Sequence, residues 1–542
     1  MLDLATLHEA IAAAIPDREC LVWRDRRMTW RELAGRTRRL ANVLHGHGLG
    51  LRGGSRGAAA EPWESPHDHL ALYLHNGPEY LEGLVAAHQA RVAPFNVNYR
   101  YVDDELAHLF GDARPAAVIY HARFADAIGR VVERLAGRLG GGRPLLLQVA
   151  DESGAALLPG ALDYEEALAG APSDPLPVRP HAHDLHILYT GGTTGMPKGV
   201  LWRIGDLMAG PLGLRRRDGS PLTGLDEAVA RAVRSDVRVL VGPPLMHGAG
   251  TWSALGAWCG GGCVVFPDRV DGLDAADLMA TAERERVTRM PLVGDAFARP
   301  IVAALEARPH ELGALRTFVN SAAAISPAVK ARMLELLPHS RIVDVLGSSE
   351  SGFQVTRNGS SATSFAAPPG TAVLSADRSR RLAPGEEELG WLAKGGGSIP
   401  LGYLGDPEKT AATFLTLDGE RLVVPGDRAR LLADGTVEVR GREATTINTG
   451  GEKVFAEEVE SVLRGLPGVA DALVVGRPSE RWGTEIVAVI GPAGAPPDDE
   501  LRAGCAARLA RYKIPKAFVR TDRSLRLPNG KADYAAARAL LH

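Results

Sequence analysis

Cysteine is scarce: Cys20, Cys259, Cys263 and Cys505 are the only four in 542 residues. So few thiols in so long a chain exclude a disulfide framework. Cys259 and Cys263 lie among glycines, but no second Cys or His pair follows at zinc-like spacing, so small buried thiols are expected there. An excess of charge of one sign is also lacking. Sixty-two Lys and Arg stand against 65 Asp and Glu, a net charge of -3, which gives no electrostatic reason to expect a nucleic-acid or membrane-surface partner. The Arg215-Arg216-Arg217 run sits in a Gly/Pro-rich stretch and reads as a solvated turn. No uninterrupted apolar run reaches the roughly 18–20 residues needed to span a bilayer. The opening "MLDLATLHEAIAAAIPDRE" breaks its apolar positions with acidic residues, which suits an amphipathic helix rather than a secretory signal. A reducing, cytoplasmic setting is expected. Internal repeats and long low-complexity tracts are absent.

What is present is a chain too long for one ordinary core, so at least two domains are expected. Hydrophobic residues make up 45% and charged residues 23%, a soluble globular composition. Residues 29–47 place Leu33, Leu40, Val43 and Leu44 at helical spacing, and Gly48 and Gly50 end the run. Residues 51–66 are turn-rich. "HLALYLHN" reads as a buried strand, "PEYLEGLVAAHQA" as a helix, and "PAAVIYH" (115–121), "VVFP" (264–267) and "RIVDVLGSSE" (341–350) as further strands. Strands alternating with helices predict α/β layers with parallel pairing. Residues 138–160, rich in Gly, Leu and Pro, read as a surface excursion. From about residue 431 the texture changes to a hairpin, "DGTVEVRGR", then helix and strand in "EEVESVLRGLPGVADALVVG". The expected organisation is a large multi-layer α/β domain over 1–440 and a small α+β domain over 441–542.

The most informative stretch is "YTGGTTGMPKGV", residues 189–200, after the apolar "LHILYT". Gly191, Gly192 and Gly195 let backbone approach a ligand without Cβ clashes. Successive backbone N–H groups in such a turn make an anion-binding nest. Thr190, Thr193 and Thr194 add hydroxyl donors, Pro197 stiffens the exit and Lys198 brings a cation. Everything in the loop suits a polyphosphate. It is no Walker A loop, because Pro197 precedes the lysine and Gly199 follows it, and the stretch contains no Gly-x-Gly-x-x-Gly dinucleotide fingerprint.

This loop resembles the phosphate-binding signature of the adenylate-forming enzymes: acyl-CoA synthetases, adenylation domains and luciferases. The resemblance continues in order along nearly the whole chain. "PPLMHGAGTW" (243–252) resembles the gating and acyl-pocket segment, "NSAAAIS" (320–326) the strand edge beside adenine, and "LGSSE" (346–350) the segment ending in a magnesium-binding glutamate. "GYLGDPEKTAATF" (402–414) and "VPGDRARL" (424–431) follow, then the domain-junction motif "GREATTINTGGEKVFAEEVE" (441–460) and the catalytic-lysine motif "RLPNGKADY" (526–534). "GGTTGMPKGVLWR", "PFNVNYRY" (94–101) and "INTGGEKVF" resemble in particular bacterial acyl-CoA synthetases of the fatty-acid and sterol-side-chain type.

The resemblance implies two half-reactions: a carboxylate and ATP give acyl-AMP, and CoA then displaces AMP to give a thioester. It implies roles as well. The 190–198 loop would hold the β- and γ-phosphates, with Mg²⁺ at Glu350 and Thr190. Ala322, Gly347, Ser348 and Ser349 would lie along the nucleotide, Asp427 would accept the ribose hydroxyls, and Arg442 would sit near the nucleotide and the junction. Lys531 would stabilise charge between carboxylate and α-phosphate, with His247 as a further catalytic candidate. Gly450 and Gly451 would line the CoA tunnel, and the small residues Gly248, Ala249, Gly250 and Ala323 would leave room for a bulky or long apolar acid. The C-terminal domain would be mobile, rotating about the junction, and a homodimer is a family-level expectation. One departure stands out: many CoA ligases carry Asp two residues after the junction arginine, where this chain has Ala444. A fatty acid, a sterol side chain and a polycyclic terpenoid acid all remain open as substrates. So does an adenylating enzyme that passes its acyl group to a carrier protein or a separate transferase. "GSSES" (347–351) fails the Gly-x-Ser-x-Gly pattern of a serine hydrolase, and "HAHDLH" (181–186) reads as hydrogen-bonded histidines rather than a zinc site.

Overall fold

The structure is a computed structural model and describes residues 1–52, 61–137, 142–191, 196–216, 218–322, 325, 327–358, 364–442, 446–491, 496–525 and 533–541. Two eight-stranded sheets dominate the N-terminal part. The first runs in spatial order Gly402–Tyr403, Pro197–Arg203, Leu185–Gly191, Ala93–Asn96, His69–Tyr73, Ala117–His121, Leu145–Val149 and Leu162–Asp163. The second runs Gly352–Asn358, Arg341–Ser348, Thr317–Asn320, Arg289–Leu292, Arg238–Leu240, Cys263–Phe266, Glu19–Trp23 and Arg26–Thr29. The middle strands of both pair in parallel, as the alternation of strands and helices predicts, and antiparallel pairs occur only toward the edges. His69–Tyr73 and Ala117–His121 are buried at every residue, the pattern of a parallel strand covered on both faces.

Helices fill the space between the two sheets. One core cluster joins Leu70, Leu72 and Ile119 of the first sheet to Leu21, Val264 and Phe266 of the second through Leu7, Leu40, Leu84 and Leu255 of four helices. Helix Trp30–Gly46 begins with a reciprocal cap: the Thr29 side chain accepts from the Glu32 N–H, and the Glu32 carboxylate accepts from the Thr29 N–H. Helix Pro78–Gln89 is buried on every side, and it can lie this close to the sheet because a Cβ on Gly83 would come within 2.7 Å of Leu72.

A further sheet of six strands follows, built largely from residues 371–442. The smaller C-terminal domain carries the hairpin Thr446–Thr449/Glu452–Phe455 and a three-stranded sheet, Asp471–Ser479, Gly483–Gly491 and Ala517–Arg520, over its own apolar core. One expectation needs correction. The stretch 138–160 is not wholly a surface excursion: Leu145–Val149 is a strand pairing in parallel with Ala117–His121, because its run of leucines fills the core behind it. The strand before the Gly/Thr loop is followed by an antiparallel strand, so Thr190 pairs across a hairpin with Lys198.

The cysteines are all free and buried. Among the described residues no helix is long and apolar enough to cross a membrane. The 181–186 segment is held by hydrogen bonds: Asp184 accepts from Arg91 at 2.7 Å and lies 3.2 Å from His67, while His186 stacks on His88 at 5.7 Å between ring centroids. Burial leaves many imidazoles uncharged. It lowers His8, His69, His121 and His186 to about 4, and His88 to about 3. These values lie below that of a free imidazole, so between about pH 6.5 and 4 the unfolded chain takes up protons that the folded chain refuses, and stability falls as pH falls through that window. Thermal melts should therefore be nearly flat from pH 7 to 9 and drop by roughly 10 °C or more by pH 4.5.

Candidate active site

The carboxyl ends of parallel strands from both sheets converge on one cavity of about 810 Å³. Its wall includes Asn96, Tyr189 and Thr190 from the first sheet, and Asn320, Ser321, Ala322 and Gly347–Ser349 from the second. Gly242–Ala249 contributes Pro243, Pro244, Met246, His247, Gly248 and Ala249, and the six-stranded sheet contributes Asp427. Gly450, Gly451, Glu452, Trp482 and Tyr512 come from the C-terminal domain, so the cavity is shared by both parts of the molecule.

Two buried asparagines set the geometry of the wall. The Asn96 amide donates to the carbonyls of Tyr189 (2.9 Å) and Met246 (2.7 Å) and accepts from the Tyr189 N–H at 2.7 Å. The base of the Gly/Thr loop and the His247 segment are thereby clamped together. Asn76 does the same for the prolines, donating to the carbonyls of Val241 and Pro243 and accepting from the Leu245 N–H at 2.7 Å. Such fully paired amides fix a wall more tightly than apolar packing alone. Neither was singled out as functional from sequence, although Asn96 lies within the quoted "PFNVNYRY"; an asparagine carries no signal until its partners are known.

His247 caps the helix Gly248–Cys259 and faces the C-terminal domain, its Nε2 3.0 Å from Glu452 Oε1. Glu452 also pairs with Arg100. Burial, and to a lesser degree the Arg100 cation, hold His247 down to about 3, so the ring is a neutral hydrogen-bond donor to Glu452 at ordinary pH. Arg100 and Glu452 were not foreseen as site residues, although both fall inside quoted motifs.

Glu350 lies in the turn between the antiparallel strands Arg341–Ser348 and Gly352–Asn358, not at a helix end. The turn is tight: a Cβ on Gly347 would fall 2.0 Å from the Gly352 carbonyl oxygen, so only glycine fits there. The Tyr403 hydroxyl donates to the Glu350 carboxylate at 2.9 Å, and the Trp202 indole N–H holds the Ser349 carbonyl at 2.9 Å. Lys198 pairs with Asp406 at 2.6 Å, and the other oxygen of Asp406 caps the helix Pro407–Thr413 through the Lys409 N–H. Thr190 lines the cavity, and Glu350 is not among its lining residues but directly follows Ser349, which is; a carboxylate and a hydroxyl are the hard oxygen donors that an ion such as Mg²⁺ takes.

The apolar part of the wall is made by Val293, Phe297, Trp252 and Phe353, with the Trp252 and Phe353 rings edge to face at 5.9 Å. Gly248 lies under Trp252, where a Cβ would come to 3.3 Å of the indole. Ala322 is held at a left-handed φ of 65° on the wall, an unusual state for alanine.

Of the residues singled out from sequence, the structure brings Thr190, His247, Gly248, Ala249, Ala322, Gly347, Ser348, Ser349, Asp427, Gly450 and Gly451 to this cavity. Gly250 lies off it, in the helix, packed against the carbonyls of Pro243 and Pro244. Gly191 ends its strand, Lys198 is turned to Asp406, and Arg442 pairs in register with Asp427. Gly192, Thr193, Thr194, Gly195, Ala323, Ala444 and Lys531 lie outside the described residues.

A two-part molecule with a shared cleft at the strand ends, lined by Thr190 at the base of a Gly/Thr segment, is the architecture of an adenylate-forming enzyme. Residues 8–404 match the AMP-binding enzyme family and residues 458–531 match the AMP-binding enzyme C-terminal domain; the chain belongs to this family. It is 49% identical over 538 residues to the medium-chain acyl-CoA ligase Mig of Mycobacterium avium, covering 98% of this chain and 96% of that one. It is 34% identical to the 3-oxocholest-4-en-26-oate–CoA ligase of Rhodococcus rhodochrous, covering 99% and 95%. Among solved structures, the o-succinylbenzoate CoA synthetase of Bacillus subtilis superposes with a TM-score of 0.77 at 21% identity, covering 98% of each chain.

Proposed function

We propose that the protein joins an apolar carboxylic acid to CoA at the expense of ATP, by way of an acyl-AMP intermediate. The observation that carries this reading is the single cavity in which Thr190, the Gly347–Ser349 edge and Asp427 face Gly450 and Gly451 of the C-terminal domain. Carboxylate and ATP are both anions, and their repulsion must be offset. The backbone and hydroxyls of the 190–198 loop would carry the β- and γ-phosphates. Bound Mg²⁺ would neutralise phosphate charge, held by Glu350 with Thr190. Asp427 would accept the ribose hydroxyls with its two oxygens. Arg442, its cross-strand partner, would stand beside the nucleotide, and Lys531 would meet the charge that grows between the carboxylate and the α-phosphate. In the second step the CoA thiol would reach the acyl carbonyl past Gly450 and Gly451, and AMP would leave. A C-terminal domain that begins near residue 441 and turns about the junction would present these two sets of residues in turn.

The acid we propose is long or bulky and apolar: a long-chain, sterol-side-chain or polycyclic terpenoid acid. The relative named for 3-oxocholest-4-en-26-oate supports a bulky acid and the relative named for medium-chain acyl groups an apolar one, while the small Gly248 and Ala249 leave room at the cavity wall. Product analysis by mass spectrometry with ATP, Mg²⁺ and a panel of acids, with and without CoA, tests the whole reading. Acyl-CoA formed only with CoA is expected. Acyl-AMP that persists in the presence of CoA would instead mean that a carrier protein or separate transferase takes the acyl group. Turnover of acetate and short acids alone would refute the substrate class. Filling the wall tests the pocket: Ala249→Phe should lower kcat/KM for the largest acids by about 50-fold or more while leaving short acids within about threefold.

A further inference from the structure

Outside the cavity, the most heavily buried charge cluster joining the two parts of the molecule among the described residues centres on Lys513. Its Nζ lies 2.5 Å from Glu105 Oε1 and 2.8 Å from Glu458 Oε1, with side-chain exposures of 3%, 2% and 7% in that order. At such burial the charges are little screened by water or salt. Glu105 belongs to the first turn of helix Asp103–Ala113 in the N-terminal domain, while Lys513 and Glu458 belong to the C-terminal domain. The cation also lies 5.6 Å and 5.8 Å from the ring centroids of Tyr101 and Tyr512.

The position of Glu458 matters. It stands in helix Ala456–Arg464, which directly continues the strand Glu452–Phe455, and that strand follows the turn at Gly450 and Gly451. The hairpin that closes the cavity is therefore held at its tip by Glu452, against His247 and Arg100, and behind its base by Lys513 against Glu105. A buried cation lost from one of two carboxylates leaves unpaired charge, so this contact favours the present docking over any other.

We infer that Lys513 is a positioning residue: by bridging Glu458 to Glu105 it holds the Gly450–Glu452 turn against the cavity for the CoA-dependent step, without taking part in the ATP-dependent one. This rests on the two-step reading above. Two variants, one at each end of the bridge and each followed through both half-reactions, separate the inference from a general structural role. Glu105→Gln weakens the contact between domains and keeps an amide oxygen for the Val102 N–H, which Glu105 Oε2 now accepts at 3.2 Å. Glu458→Gln weakens only the contact within the C-terminal domain.

The test measures pyrophosphate release without CoA, and acyl-CoA formation against CoA concentration, for the full-length chain and each variant. Glu105→Gln should raise KM for CoA about tenfold, as loss of one charge-assisted bond would, and leave pyrophosphate release within about twofold. Glu458→Gln, which cuts the same bridge on the hairpin side, should raise KM for CoA as well and leave pyrophosphate release within about twofold. An unchanged KM for CoA in either variant, or a fall in pyrophosphate release in step with the rise, would overturn the inference while leaving the two-step reading intact. Absence of acid-dependent pyrophosphate release from the unaltered chain would overturn that reading, and the inference with it. Should Glu105→Gln fail to fold, Glu105→Asp, which keeps the charge but shortens its reach, carries the same expectation.

Discussion

Gly451→Ala should cut acyl-CoA formation on the order of a hundredfold while leaving CoA-independent pyrophosphate release within about twofold. Two separate costs combine at this residue. Its φ is 85°, in the left-handed region, where an alanine costs about 1 kcal/mol or more. Its Cβ would also lie 2.4 Å from Val293 Cγ1, on a strand-end wall that cannot easily retreat. Overlap of that size in a packed site costs about 1–3 kcal/mol, so relief has to come from the hairpin moving away. Movement of the hairpin opens the side of the cavity assigned to the thiol and leaves Thr190, Gly347 and Asp427 in place. The double variant Gly451→Ala/Val293→Ala separates the two costs. Removing the valine methyls should recover part of the loss, and what remains measures the backbone strain. Equal damage to both half-reactions would place Gly451 in general packing and not at the route of CoA.

The same residue shows what could be read in the sequence and what could not. A Gly pair inside "INTGGEKVF" was legible as backbone that must approach something closely, yet the close neighbour, Val293, is far away in sequence. The sheet strands were legible because apolar runs such as "LHILYT", buried from Leu185 to Tyr189, and "RIVDVLG", which buries Ile342, Asp344 and Val345, leave little ambiguity. Leu145–Val149 was missed because its flanking glycines and prolines look like loop, and only the sheet beside it gives its leucines somewhere to go. The hairpin Leu185–Gly191/Pro197–Arg203 was hidden in the same way, since strand direction is set by the partner strand and not by composition. In the site, residues with distinctive chemistry at fixed spacing were found from sequence. Residues that act through a partner were not: Asn76 and Asn96 clamp carbonyls, Tyr403 holds Glu350, and Arg100, Glu105 and Lys513 meet the other domain. Ordinary residue types like these gain meaning only from long-range contacts.

Glu350→Gln should lower acid- and ATP-dependent pyrophosphate release by about a hundredfold at fixed Mg²⁺, and raise the Mg²⁺ concentration needed for half-maximal rate. The substitution is well chosen because the fold has little reason to respond. Glutamine has the same shape, its amide oxygen can still accept from the Tyr403 hydroxyl at the observed 2.9 Å, and the turn stays fixed by Gly347 and by the Trp202 bond to Ser349. What is lost is the negative charge, and with it most of the attraction for a hard divalent cation. Tyr403→Phe is the companion. It keeps the carboxylate but removes the Tyr403 donor, so Glu350 is less well oriented, and a smaller loss of about three- to tenfold is expected. If Glu350→Gln worked within about threefold of the unaltered enzyme with an unchanged Mg²⁺ requirement, the metal would have to be held elsewhere. If Tyr403→Phe were as damaging as Glu350→Gln, the hydroxyl itself, and not the carboxylate it orients, would be the group that touches the nucleotide.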